Sequence, residues 1–224
     1  MADTMRIIAH IHTDFGSKFG IPRQSGLVDS LQGAIIFEPE YRVSEALRGL
    51  DGFSHLWLIW NFSQIPSDGW SATVRPPKLG GNKRVGVFAT RSSFRPNSLG
   101  LSVVKLEKVQ KGSLLVSGAD LKNNTPIYDI KPYLPYADSI PNALGGFSEA
   151  HKAERKEIIF LNNTENKLNS SLKADITEML SLDPRPAYQE DENRVYGVSF
   201  GGYNIKFNYR DNKICVTEVE NADK

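Results

Sequence analysis

The sequence predicts a mainly β protein, an N-terminal β-barrel followed by a small α+β C-terminal domain. Three observations carry that expectation. Apolar runs of strand length recur through the first part of the chain, separated by turn signals at the roughly 8–12-residue spacing of barrels and sandwiches. The helices that a Rossmann-type βαβ alternation would place between them are missing. The polar, helix-prone stretches fall instead after residue 146.

Taken in order, Met5–Ile11 and Gly33–Phe37 are short apolar runs bounded by turn residues and are expected as strands. Val43, Ala46, Leu47 and Leu50 recur at helical spacing, which predicts a helix over Tyr41–Gly49 that Gly49 closes. Phe53–Phe62 is the strongest strand: alternation sends Leu56, Leu58, Trp60 and Phe62 to a core. Its other face carries His55, Trp57, Ile59 and Asn61, a mixture suited to lining a cavity. Strands at Val85–Ala89, Ser98–Val109, Leu114–Ala119 and Ile127–Ile130 complete the barrel. Beyond a composition break near Leu144–Gly146, helices are expected at Glu149–Lys156 and Glu165–Leu182, the second with Leu168, Leu172, Ile176 and Leu180 four residues apart. Asp183-Pro184-Arg185-Pro186 ends it, because proline lacks the donor and restricts its predecessor. Tyr196–Phe200, Tyr203–Tyr209 and Ile214–Val219 alternate as strands, joined through Gly201-Gly202 and Arg210–Lys213. The expected domains are therefore 1–146 and 147–224.

Composition narrows the function. The chain has 224 residues with 27 Lys+Arg against 26 Asp+Glu, enough length for one large domain and an appendage. The charges are unevenly placed. Residues 1–146 hold 16 basic and 12 acidic side chains, and the 38 residues between Asp68 and Glu107 hold no acid at all. Arg75, Lys78, Lys83, Arg84, Arg91, Arg95 and Lys105 fall in that window, a positive field that suits a phosphate-bearing partner. The single cysteine, Cys215, excludes an internal disulfide and a cysteine-rich metal site, and is expected as a small core residue. No long apolar run or signal-peptide core occurs, so a cytoplasmic setting without a membrane span is expected.

Two common engines are absent: no Gly-x-Gly-x-x-Gly and no Walker phosphate loop. His10-x-His12 puts two imidazoles on one strand face, but His55 and His151 offer no obvious third ligand, so no metal is expected. Three segments carry more turn and charge chemistry than a plain scaffold needs. They are Phe19–Gly26; Arg75–Gly100, where Arg91 and Arg95 frame a loop broken by Pro96; and Asn123–Tyr136, which alternation splits into Tyr128 and Ile130 on one face and Asp129 and Lys131 on the other.

These segments resemble the TsaA-like family. The runs PRQSGLV (22–28), RPPKLGGNKRVGVFATRSSFRPNSLGLS (75–102) and NNTPIYDIKPYLPYAD (123–138) carry the likeness, and DPRPAY (183–188) is similar to the extra C-terminal domain of bacterial members. The resemblance implies a β-barrel that binds S-adenosyl-L-methionine, unlike the Rossmann methyltransferases. It also implies a homodimer that N6-methylates threonylcarbamoyladenosine beside the tRNA anticodon. Carried over by motif, the cofactor contacts are Pro22, Arg23 and Gln24; Ser63 and Gln64; Arg91 and Leu99; and Asp120, Leu121, Lys122 and Asn123. Ser93 and Ser98 stand where many members have proline, and Asn124 where glycine is usual, an exchange that asparagine's tolerance of positive φ permits.

The substrate nitrogen carries an electron-withdrawing carbamoyl group, so a modest base suffices for its proton. Asp129 is the candidate base or the orienter of one, against an ion pair with Lys131 or an arginine as the structural alternative. Arg75, Lys78, Arg84, Arg95 and Lys131 are the expected phosphate contacts, with Tyr133 or Tyr136 stacking a splayed base. The competing reading, which the acid-free window alone motivates, is an RNA-binding barrel without catalysis.

Overall fold

Residues 5–63, 69–79, 82–151, 154–186 and 191–222 are described by a computed structural model. Twelve strands are defined among them: β1 (Ala9–Thr13), β2 (Gln32–Phe37), β3 (His55–Asn61), β4 (Thr73–Val74), β5 (Val85–Gly86), β6 (Leu99–Gln110), β7 (Ser113–Ser117), β8 (Thr125–Pro132), β9 (Glu157–Phe160), β10 (Tyr196–Phe200), β11 (Tyr203–Arg210) and β12 (Lys213–Asn221). The α-helices are the single turn α1 (Pro135–Asp138) and the longer α2 (Ser170–Ser181). Six strands close into an antiparallel barrel in the order β1-β2-β7-β6-β3-β8, with β8 returning to β1. Closure removes the unpaired edges that an open sheet would present.

The barrel interior follows from alternation. Leu56, Leu58 and Trp60 of β3 point inward at 7% exposure or less, where they meet Ile11, Ile35, Val104, Val116 and Ile127. On β8 the alternation breaks. Ile59 pairs with Asp129 while Trp60 pairs with Ile127, so one extra residue is accommodated and Ile127 and Ile130 both turn toward the core. The even split of Tyr128 and Ile130 against Asp129 and Lys131 therefore does not hold. A second register shift, between Leu106 and Lys108, bends β6 beside β7.

The C-terminal unit is a four-stranded sheet, β10-β11-β12-β9, with β9 parallel to β12 and the other pairs antiparallel. Asn169 caps α2, its Oδ1 accepting from the Leu172 N–H at 2.9 Å. Ile176 and Leu180 are fully buried, with Leu168 and Leu172 packed against the same cluster. Gly201 and Gly202, both at positive φ, turn β10 into β11, and Asp211 and Asn212 do the same for the next hairpin. The core under this sheet also contains Phe15, Val28 and Leu31, with Phe19 and Ile21 packed on it. The segment between β1 and β2 thus belongs to the barrel by sequence and to the second core by burial. Phe15 bridges Phe200 with rings 5.0 Å apart, and Gly20, at φ +96°, lies where a Cβ would come within 2.3 Å of Val198.

Some expected elements differ. The helix over Tyr41–Gly49 is instead a series of 3-10 turns at Pro39–Tyr41, Ser44–Leu47 and Leu50–Gly52, with extended backbone at Arg48 between them. The segment is too short to offset helix nucleation, and it is held by Tyr41, Leu47 and Leu50 packing on the barrel. The strand expected at Val85–Ala89 shortens to β5 and a 3-10 turn at Val87–Ala89. The helix expected at Glu149–Lys156 is a 3-10 stretch at Gly146–His151. The one expected over Glu165–Leu182 divides into a turn at Thr164–Lys167 and α2. Strand β9 was not anticipated, because four residues give too short an apolar run to distinguish from a loop.

Candidate functional site

One mouth of the barrel opens into a cavity of about 730 Å³, within the usual range for small-molecule sites. Three segments that are distant in sequence form it. Pro22, Arg23 and Gln24 come from the β1–β2 segment, Arg91 and Leu99 from the loop entering β6, and Asp120, Lys122 and Asn123 from the β7–β8 loop. Ser63 lies at the end of β3 on the same rim. Gln64 falls outside the described residues. Leu121 does not line the cavity: its side chain is 1% exposed in the barrel core, because its neighbours turn out at a tight loop while it points in.

Each segment is braced from below. Arg91 donates through Nη1 to Gln24 Oε1, which ties the first loop to the second. Arg95 donates to the Thr90 and Val87 carbonyls at 2.8 and 3.1 Å, holding the Arg91 turn closed. The third loop is fastened to β1 and the turn that follows it: Asn124 N–H reaches Ile11 O at 2.8 Å and Asn123 N–H reaches Phe15 O at 3.0 Å. Asn124 adopts φ +63°, the left-handed conformation that asparagine tolerates.

The polar centre is a relay. Trp60 Nε1–H donates to Ser102 Oγ at 3.0 Å, and the Ser102 hydroxyl donates to Asp120 Oδ1 at 2.6 Å. Burial raises the Asp120 pKa above the usual carboxylate range, opposed by hydrogen bonds from Ser102 and backbone N–H groups and by the Arg91 charge. Trp60 reaches Ser102 only because Gly100, its register partner, has no side chain; a Cβ there would lie 2.2 Å from the indole. The Trp60 and Phe62 rings, 4.3 Å apart, add an aromatic wall. The cavity therefore offers a carboxylate for a cation, arginine forks for an anion and an apolar face for a ring.

Other expected site residues lie elsewhere. Asp129 is on the outer face of β8, where Oδ2 meets Lys131 Nζ at 2.9 Å and Oδ1 accepts from the Ile130 N–H. It does not line the cavity. Lys131 pairs with Trp57, and the Tyr133 N–H bonds the His55 carbonyl, at the end of β3 opposite the cavity. Six residues of strand put Tyr133 about 20 Å from Asn61. Tyr133 packs near Trp57 at 5.8 Å, and Tyr136 is 87% exposed. Arg75 is exposed; Arg84 donates to Thr73 Oγ1 at 2.8 Å and braces the β4–β5 hairpin. Lys78 lies in the turn Pro77–Leu79. His10 Nδ1 sits 2.7 Å from Glu38 Oε1, and no group of three metal-ligating side chains occurs among the described residues.

Trp60, Ser102 and Gly100 were missed as site residues. The alternation of β3 assigned Trp60 to the core, which is correct, and nothing local indicates that its indole edge leaves the core for a cavity. Asn61, on the β3 face expected to suit a cavity, does line it and donates to the Tyr128 hydroxyl.

A closed antiparallel barrel whose mouth gathers a carboxylate, arginines and an aromatic wall, built without a glycine-rich nucleotide fingerprint, has the makings of a small-molecule site on a barrel rather than on a Rossmann fold. The family model for the tRNA-methyltransferase O N-terminal domain matches residues 10–139, and that for the TrmO C-terminal domain matches residues 153–222. The chain belongs to the tRNA-methyltransferase O family. It is 41% identical to the tRNA (adenine(37)-N6)-methyltransferase of Escherichia coli, over 91% of this chain and 92% of that one. A Pseudomonas aeruginosa protein carrying the provisional name S-adenosylmethionine-dependent methyltransferase RcsF is 39% identical over the full length of both. A crystal structure of TrmO from Pseudomonas aeruginosa superimposes with a TM-score of 0.82 at 33% identity, covering 99% of this chain and 98% of that one.

Proposed function

We propose that the protein is an S-adenosyl-L-methionine-dependent methyltransferase that N6-methylates threonylcarbamoyladenosine at position 37 of tRNA. The observation that carries this reading is the donor set of the cavity: Asp120 for the ammonium or sulfonium charge, Arg23, Gln24 and Arg91 for the carboxylate, and Trp60 with Phe62 for the adenine ring. Bound S-adenosyl-L-methionine supplies an electrophilic methyl group whose sulfur leaves as a neutral thioether. The protein's share is alignment, since an in-line displacement gains chiefly from orientation and excluded water. The substrate N6 loses its proton as it gains the methyl. Asp129, held by Lys131 outside the cavity, is poorly placed to take that proton. Asp120 is the carboxylate that faces the cavity: its raised pKa favours taking up that proton, and in its ionised form it can meet a bound cation.

Arg75, Lys78, Arg84 and Arg95 flank Arg91 within the acid-free window of the sequence and provide the phosphate-binding charge, while Lys131 and Tyr133 serve a more distant part of the RNA. The protein acts as a cytoplasmic homodimer, with residues 1–146 as the methyltransferase domain and 147–224 as its smaller companion.

The test is methyl incorporation into tRNA with and without threonylcarbamoyladenosine, beside calorimetric titration with S-adenosyl-L-methionine. Labelling restricted to the modified tRNA is expected. Cofactor-independent tRNA binding without methyl transfer would favour the non-catalytic RNA-binding barrel instead. Arg91→Ala should weaken cofactor binding by about 1.5–3 kcal/mol, the worth of a charge-assisted hydrogen bond.

A further inference from the structure

The cavity loop that carries Pro22, Arg23 and Gln24 is shaped by the C-terminal unit as much as by the barrel. Its flanks, Phe15, Phe19, Ile21, Val28 and Leu31, are built into the core beneath β10–β12. At its centre, Arg23 Nη2 donates to the main-chain carbonyl of Arg185 at 3.0 Å. That carbonyl is held with unusual firmness. The Arg185 guanidinium grips Asp183 through Nε at 2.8 Å and Nη2 at 2.7 Å, and lies over the Tyr209 ring with Cζ 3.4 Å from its centroid. Arg185 is 7% exposed although charged. A bidentate pair with a stacked face is the arrangement in which arginine cannot be exchanged for lysine. Asp183 itself sits at φ +49° beside Pro184, so its backbone leaves little freedom to adjust.

Burying the Arg185 guanidinium carries a desolvation cost that its pairing with Asp183 only offsets. What the clamp does present is one carbonyl oxygen, fixed relative to β11, to the arginine of a cofactor-binding loop. We infer that Arg185 is a positioning residue for methyl transfer: the Asp183–Arg185–Tyr209 clamp orients Arg23 toward the cavity and makes the C-terminal unit part of the cofactor site. Asp183 reinforces the link electrostatically, since its charge supports an Arg23 pKa that desolvation lowers. The inference rests on the reading of the cavity as the S-adenosyl-L-methionine site.

The experiment is a double-mutant cycle on the full chain, read by calorimetric titration with S-adenosyl-L-methionine and by kcat and KM for modified tRNA. Arg185→Met should raise the cofactor Kd about tenfold, the loss of one oriented hydrogen bond to a charged group, with KM for tRNA unchanged. Added to Arg23→Ala, it should produce no further loss. Val219→Ala, a core truncation on β12 far along the same sheet, should lower Tm without changing the Kd. Wild-type protein that fails to bind the cofactor overturns the cavity reading itself. Wild-type binding with an unaltered Kd in Arg185→Met overturns only the role of Arg185, as do additive losses in the double variant or an equal Kd change in Val219→Ala. If Arg185→Met does not fold, Asp183→Asn, which keeps the side-chain volume, enters the same cycle with the same outcomes.

Discussion

At the scale of single residues, the behaviour of Asp120 is the sharpest handle on the site. Its folded pKa is raised above the ordinary aspartate value, chiefly by desolvation. The folded state therefore holds the proton to higher pH than the unfolded chain does. Stability should fall as pH rises through the window between the two values, and stay lowered above it. Cofactor affinity should move the other way, strengthening through the same window as the carboxylate ionises to meet a cation. Asp120→Asn should flatten both dependences, raising Tm at neutral pH and weakening binding; thermal scans and titrations from pH 4 to 8 check this. Gly100 offers a second residue-level test. Gly100→Ala should push the Trp60 indole off Ser102, reducing cofactor affinity and changing tryptophan fluorescence, since the added Cβ has no room. The resemblance to the family's motifs pointed to Arg91, Gln24 and Asp120, and the fold brings these three to one cavity. Gly100 and Ser102 stood unremarked inside a strand, since their role exists only where Trp60 crosses to them from β3.

At the scale of elements, strands were legible and short turns were not. β3, β6 and β11 announce themselves by alternation, a property of the strand alone. The 39–52 segment shows helical spacing yet forms 3-10 turns, because its apolar residues are placed by docking on the barrel rather than by a helix of their own. The bulge on β8 was equally invisible, being a matter of register against β3. The loop before β6 has its own test. Arg95 spends Nη1 on the Val87 and Thr90 carbonyls, so Arg95→Ala should loosen this loop and speed amide exchange at Thr90 and Ser92, with the barrel strands unaffected. Tight protection retained in the variant would show that the loop does not depend on the brace. Arg75, exposed and without such duty in the β4–β5 region, should behave differently: Arg75→Ala should reduce the salt slope of tRNA binding by about one.

At the scale of the whole molecule, the two sheets share one buried segment. Phe15, Val28 and Leu31 lie between β1 and β2 in sequence and under β10–β12 in space. Truncation after Gly146 should therefore not release a soluble barrel; it should expose these side chains together with Phe19, bind a hydrophobic dye and aggregate. A monodisperse truncated barrel with native near-ultraviolet dichroism would contradict the shared core. The same sharing places the Arg23 loop of the cavity rim within hydrogen-bond reach of the Arg185 carbonyl.

By itself the sequence determined the β-rich class, the strand faces, the hairpin turns and the local motifs, since each is encoded within a few neighbouring residues as period, charge or permitted φ. Tertiary structure alone decided barrel closure, the bulge that turns Ile130 inward, the Trp60–Ser102–Asp120 relay and the attachment of residues 14–31 to the second core. These depend on contacts between segments separated by tens to more than a hundred residues, and no local pattern records which distant partner a buried face or a buried charge will find.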